Sequence, residues 1–163
     1  MNTVVFFIDT SYLLELFRVP GCFDEAAVKE IRKRYTKAIK DKSRFFVPLP
    51  CIFELGNHIA DVTKESSRNQ LKEKLSQTVR SCIENKTPWI ITPSIKIESL
   101  PDLWEMFSKP EMQKGLSLTD TSIIREAHNY KKKRSSFGYK VHIWTRDREL
   151  KAREPDSERN PFL

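Results

Sequence analysis

The sequence predicts an α/β fold built on a mainly parallel sheet. Two short apolar runs, Thr3-Val4-Val5-Phe6-Phe7-Ile8 and Val141-His142-Ile143-Trp144, show no polar alternation, the pattern of strands buried on both faces beneath covering helices. Amphipathic helical patterns fill most of the chain between them, and strands separated by helices are joined by crossovers that favour parallel pairing.

The elements follow in order. After the first strand, Thr10 to Phe17 is a short helix, broken by Pro20-Gly21. A second helical pattern begins near Asp24. It places Val28, Ile31, Tyr35, Ala38 and Ile39 on one side and Lys29, Lys33, Lys37 and Lys40 on the other. Phe45-Phe46-Val47 is a short strand ended by Pro48 and Pro50, and Pro50 suits the start of a helix whose Ile52, Leu55, Ile59 and Val62 turn inward. Leu71, Leu75, Val79, Cys82 and Ile83 mark another helix, followed by a strand from Trp89 to Thr92. Residues Ile97 to Met112 are mixed and interrupted by proline, which suits one or two short helices. Ser117-Leu118-Thr119-Asp120 has the form of a capping box and opens a helix with Ile123, Ile124 and Ala127 inside. Arg153 to Leu163 is charged and aperiodic, and is expected to be extended or loosely ordered.

A chain of 163 residues with 39% hydrophobic content is sized for one compact domain. Its 29 Lys and Arg against 22 Asp and Glu give a net charge of +7, which favours a polyanionic partner, nucleic acid or an anionic membrane. Cys22, Cys51 and Cys82 are odd in number and contain no C-x-x-C pair, so neither a disulfide framework nor a zinc ribbon is expected, and a reducing cytoplasm is the simplest home. The apolar opening follows no basic segment and is cut by Asp9, unlike a signal peptide, and no run reaches membrane-spanning length. The four glycines form neither a P-loop nor a dinucleotide fingerprint, so ATP and NAD are not expected.

The chemistry rests on carboxylates. In open α/β sheets ligands bind beyond the carboxyl ends of the strands. Asp9 and Asp147 each stand just past an apolar strand, and Glu54 and Asp120 each fall in the first turn of a predicted helix. Taken singly, each also fits a capping or turn role, because helix N-termini favour acids. Gathered on one edge, the four would repel one another unless a divalent cation compensated them, and hard oxygen ligands suit Mg2+ or Mn2+. Such ions activate water and stabilise the leaving oxygen of a phosphodiester.

These residues resemble a known family, the PIN domains, which include VapC-type toxin nucleases and RNA-processing nucleases. Asp9-Thr10-Ser11 resembles the family's opening D-x-S, Glu54 its helix glutamate, Leu118-Thr119-Asp120 its L-x-D helix start, and Thr145-Arg146-Asp147 its closing T-x-D. The resemblance implies a PIN-like three-layer α/β/α nuclease domain over residues 1–152, followed by a tail over 153–163. It implies a magnesium-dependent endoribonuclease in which Asp9, Glu54 and Asp120 bind the metal, Asp147 completes the catalytic pocket, and Ser11 and Thr145 orient it from behind. Homodimerisation and an inhibitory partner protein such as an antitoxin are expectations by resemblance. The stretches from Glu54 to Asp120 and from Asp120 to Asp147 are longer than in the compact toxins, which separates this chain from a simple toxin role. A catalytically idle RNA- or protein-binding module and a DNA-directed nuclease are the alternatives.

Substrate contacts are expected from Arg146 and Arg148, which flank a predicted ligand, and from Lys131, Lys132, Lys133 and Arg134. A solvated face is the other reading of that basic run and of the Lys29 to Lys40 stripe. His58, His128 and His142 have no metal-binding spacing, and Asn57 and Asp61 are weaker candidates for the pocket rim. Trp89, Trp104 and Trp144 are expected in the core rather than stacked on bases.

Overall fold

A computed structural model describes residues 3–112 and 115–162. The first two residues of the expected domain and the last residue of its tail lie outside the described residues. The chain runs β1 (Val4–Ile8), α1 (Thr10–Phe17), α2 (Glu25–Lys40), β2 (Arg44–Pro48), α3 (Leu49–Ala60), α4 (Glu65–Asn85), β3 (Ile90–Thr92), α5 (Leu100–Phe107), α6 (Leu118–Lys133), β4 (Lys140–Trp144) and α7 (Arg148–Lys151). Short 3-10 turns at Ile97–Ser99 and Pro110–Met112 flank α5, and a third, Ser135–Phe137, precedes β4.

The strands form one parallel sheet in the order β3-β2-β1-β4. β1 is central, and its apolar run is buried on both faces, with Val5 to Ile8 each at most 5% exposed. On one face Phe6 stacks on Trp144 at 4.0 Å between ring centroids, with Tyr12 of α1 and Tyr35 of α2 packed around that tryptophan. On the other face Phe7 meets Phe46 and Tyr130 of α6. Helices thus cover both sides, giving three α/β/α layers. Each favourable aromatic pair adds about 0.5–1.5 kcal/mol to the burial of its rings.

Helix starts follow local chemistry. Asp24 caps α2 by accepting the Ala27 amide at 2.9 Å, and Ser117 and Asp120 form the reciprocal capping box of α6. Two expectations are corrected at side-chain level. Ile39 is 54% exposed and Trp104 is 56% exposed, so neither belongs to the core. Ile39 lies in the last turn of α2, where Ala38 takes the buried position, and Trp104 is exposed on short α5, where Leu103 takes the inward position.

Among the described residues of the charged tail there is no helix or strand, yet the tail is held rather than loose. β4 is an edge strand, and its outward backbone groups would otherwise be unpaired. Val141 N donates to Asp156 Oδ2 at 2.8 Å and Ile143 N donates to Glu154 Oε2 at 3.0 Å. Asp156 N returns a bond to Val141 O at 3.1 Å, and Lys151 Nζ donates to Ile143 O at 3.0 Å. Tail carboxylates replace a fifth strand, an arrangement with no periodicity to read from the sequence.

Candidate active site

Strand order reverses at β1: β2 and β3 lie to one side of it and β4 to the other. The crevice beyond the carboxyl ends of β1 and β4 is therefore the place where an open α/β sheet offers a ligand site. Ile8 pairs with Trp144, so the next residues, Asp9 and Thr145, emerge side by side. Asp9 is 6% exposed and caps α1; its N–H donates to Trp144 O at 3.0 Å.

Two hydroxyls fix the Asp9 carboxylate. Ser11 Oγ and Thr145 Oγ1 each donate to Asp9 Oδ2 at 2.8 Å. Both hydroxyls also accept a backbone N–H, from Arg146 to Ser11 at 2.9 Å and from Asp147 to Thr145 at 3.0 Å. Each has one proton, already directed at Asp9, so the 3.3 Å approach of the two oxygens is a consequence of shared anchoring.

The other three carboxylates follow the same rule. Glu54 Oε2 accepts from Thr10 Oγ1 at 2.7 Å, Asp120 Oδ2 from Ser117 N at 2.7 Å, and Asp147 Oδ1 from Leu150 N at 2.8 Å. In each of the four, the second oxygen accepts no hydrogen bond from the described residues. Each acid is anchored by one oxygen and presents the other. Glu54 departs from expectation in position, lying in the second turn of α3, because the helix begins at Leu49, upstream of the expected Pro50 start.

These groups lie within electrostatic reach. Burial pushes the Asp9 carboxyl above its ordinary range, the hydroxyls of Ser11 and Thr145 oppose that, and the charge on Asp120 adds to it. Asp120 is raised by burial, against the Ser117 bonds, and further by Asp147 and Glu54. Cys51, 0% exposed, is pushed well up by burial and then by Asp9 and Glu54. Among the described residues, no cation ranks among the main influences on Asp9 or Asp120. Their oxygen-only donor set is the kind a hard divalent ion takes, although no three of these acids hold their oxygens within 4.8 Å of one another, so binding would draw the side chains together.

A tighter group of potential ligands lies elsewhere. Ligand atoms of His142, Glu154 and Glu158 fall within 4.8 Å of one another. Lys151 already occupies that cluster: its Nζ, on a side chain 5% exposed, donates to Glu154 Oε2 at 2.7 Å, Glu158 Oε2 at 3.1 Å and Ile143 O. His142 Nδ1 faces Asp156 O at 2.8 Å, which makes it a donor. The ammonium ion supplies the positive charge there, and the trio holds the tail.

Two substrate-contact expectations change. Arg146 is not free but pairs with Glu15, which is 1% exposed and also accepts Asp24 N at 2.9 Å. A buried carboxylate demands a partner, and Arg146 is the one in reach. Lys131 to Arg134 end α6, eleven to fourteen residues beyond Asp120, which is about 17–21 Å along the helix. They sit toward the amino end of the sheet, where Lys131 donates to Tyr139 O and pairs with Asp156, and Arg134 lies over Tyr130 at 4.1 Å. Arg148 is exposed and next to Asp147. Asn57 borders a groove between α3 and α4, and Asp61 is exposed.

Sequence reasoning missed Glu15 and Thr10 as supports, while the capping box it expected at Ser117 is the one that anchors Asp120. Thr10 and Ser117 stand inside the motifs Asp9-Thr10-Ser11 and Ser117-Leu118-Thr119-Asp120, and Glu15 is the one acid in the apolar helix TSYLLELF. No protein-family model matches this chain, and no curated protein matches it. Among the described residues, no helix is long and apolar enough to cross a membrane.

Proposed function

We propose that this chain is a PIN-type, metal-dependent endoribonuclease acting in the cytoplasm, with its centre at the crevice beyond β1 and β4. The observation that carries the reading is the one-oxygen anchoring of Asp9, Glu54, Asp120 and Asp147. Capping alone explains one engaged oxygen on an acid. It does not explain why Asp120 lies within electrostatic reach of the other three, with Glu54 and Asp147 acting on its carboxyl and its own charge acting on buried Asp9.

Asp9, Glu54 and Asp120 would hold Mg2+ or Mn2+ through their free oxygens, with Asp147 at the exposed lip. Such an ion lowers the pKa of water and neutralises charge at phosphorus. Ser11 and Thr145 keep Asp9 from rotating, Thr10 does so for Glu54, and the Ser117 backbone does so for Asp120. Arg148 is placed to meet a phosphate beside Asp147. The net charge of +7 supports a polyanionic substrate, and the order of the four motifs supports RNA through the resemblance to PIN nucleases.

The test is cleavage of mixed-sequence RNA and DNA with and without Mg2+, wild type against Asp9→Asn. The reading expects RNA cleavage that needs the metal and falls at least about 100-fold in the variant. Equal cleavage by both proteins, or none by wild type with either metal, overturns it; cleavage of DNA alone replaces the substrate.

A further inference from the structure

Among the described residues seven large hydrophobic side chains are exposed, and three of them fall on one short segment. Ile97, Leu100 and Trp104 are 80%, 42% and 56% exposed. They stand three and four residues apart on the 3-10 turn Ile97–Ser99 and α5, which follow each other without a break. That spacing sets them along one flank of a single helical segment. Leu103 takes the inward position and Met106 packs against the core, so the exposed row is not the face that holds α5 to the domain. Phe107, half-buried, backs Trp104 with the ring centroids 6.0 Å apart. Single apolar residues on a surface need no account, but a row of three that includes a tryptophan has the make-up of a contact site.

A second row lies beside the first. Glu98, Asp102 and Glu105 are four and three residues apart and all exposed, and none of them forms an ion pair or a side-chain hydrogen bond with another described residue. Lys96 and Lys109 lie beyond the two ends of that row. In a chain that carries +7 overall, three unpaired acids in line set this face apart from the rest of the surface. An RNA backbone or an anionic membrane is repelled there. The complement of an apolar row beside an acidic one is a protein surface with apolar side chains beside Lys or Arg. A helix offers no open backbone groups along its length, so side chains must carry the contact, and a second helix presents them in rows that interdigitate with these.

We propose that the segment Ile97 to Phe107 docks a basic amphipathic helix of a partner protein. Apolar side chains of that helix would cover Ile97, Leu100 and Trp104, and its Lys or Arg side chains would meet Glu98, Asp102 and Glu105. A second copy of this chain is the poorer occupant, because two copies meeting through the same face bring two acidic rows together. The proposal does not rest on the nuclease reading, and neither stands or falls with the other.

The test uses the full chain and two synthetic helical peptides of equal length, one of Leu and Lys and one of Leu and Glu in the same amphipathic order, with binding read by fluorescence anisotropy. The net charge of the protein favours the acidic peptide. The proposal expects the reverse, with the Leu–Lys peptide bound at least 10-fold more tightly. Trp104→Ser is expected to weaken that binding at least 10-fold, and Asp102→Lys with Glu105→Lys to invert the preference between the peptides. Trp89 and Trp144 are buried, so quenching of tryptophan fluorescence by iodide reads Trp104, and the Leu–Lys peptide is expected to shield it. Ile97→Ser serves if Trp104→Ser does not fold. Equal or tighter binding of the Leu–Glu peptide, no Leu–Lys binding at millimolar concentration, wild-type affinity in the variants, or unshielded Trp104 overturns the proposal. Self-association in sedimentation that is lost in Trp104→Ser would give the face to a second copy and overturn it too.

Discussion

Thr145 Oγ1 donates to Asp9 Oδ2 at 2.8 Å, tying the end of β4 to the end of β1 at the point where strand order reverses. Asp9 thereby keeps one oxygen turned inward and the other free. Thr145→Val preserves shape and removes this donor. RNA cleavage is expected to fall about 10- to 100-fold, the usual effect of losing a group that orients a metal ligand. Unfolding is expected to become easier by about 1–3 kcal/mol, since Thr145 is 1% exposed and the Asp147 amide also loses its acceptor. A change in melting temperature with unchanged cleavage would assign Thr145 to folding alone.

Arg146 and Glu15 form the second support. Arg146→Gln leaves Glu15, 1% exposed, without its cation. Because the Arg146 side chain is 38% exposed, the loss is expected nearer 1–3 kcal/mol than the value for a fully buried pair. For a domain of this size about 1 kcal/mol shifts the melting temperature by about 2–4 °C. Glu15→Gln combined with Arg146→Gln should recover part of that loss, as calorimetry on the two single variants and the double variant can show.

Glu154 gives the chain an acid-sensitive clasp. Burial would raise its carboxyl, but the neighbouring His142 ring and the bonds from Lys151 and the Ile143 amide outweigh burial and hold it below the ordinary glutamate range. A carboxyl lowered on folding contributes stability above its unfolded pKa, about 4.3, and loses it as pH falls through the lower folded value. Glu154→Gln should therefore lower the melting temperature at neutral pH by several degrees. The gap to wild type should narrow below about pH 4. A gap independent of pH would show that the clasp is not electrostatic.

Arg148 and Lys132 separate the two basic regions. Lys132 is exposed at the far end of α6, whereas Arg148 adjoins Asp147. Arg148→Ala is expected to raise KM and to reduce the salt slope of RNA binding by about 1. Lys132→Ala is expected to leave KM and kcat within about twofold, because a screened charge at that distance contributes little. The reverse ranking would move the substrate path to the amino end of the sheet.

Much of the fold was legible because it rests on local rules. Unbroken apolar runs marked β1 and β4, Asp24 and Ser117 announced their helices, and the residues following the strands marked the edge where Asp9 and Thr145 meet. What escaped depends on contacts between distant segments. The Arg146 to Glu15 pair spans most of the chain, so Arg146 looked free to meet substrate. The tail has no period because it works through side chains that reach the edge of β4.

Under the proposed function Asp9 and Asp120 share a divalent ion. The most direct measurement is an anomalous difference map from crystals soaked in Mn2+. A single dominant peak is expected within about 2.0–2.3 Å of the free oxygens of Asp9 and Asp120, lost in Asp120→Asn. A dominant peak at Glu154 and Glu158, or none at the crevice in crystals whose protein cleaves RNA, would contradict a shared ion there.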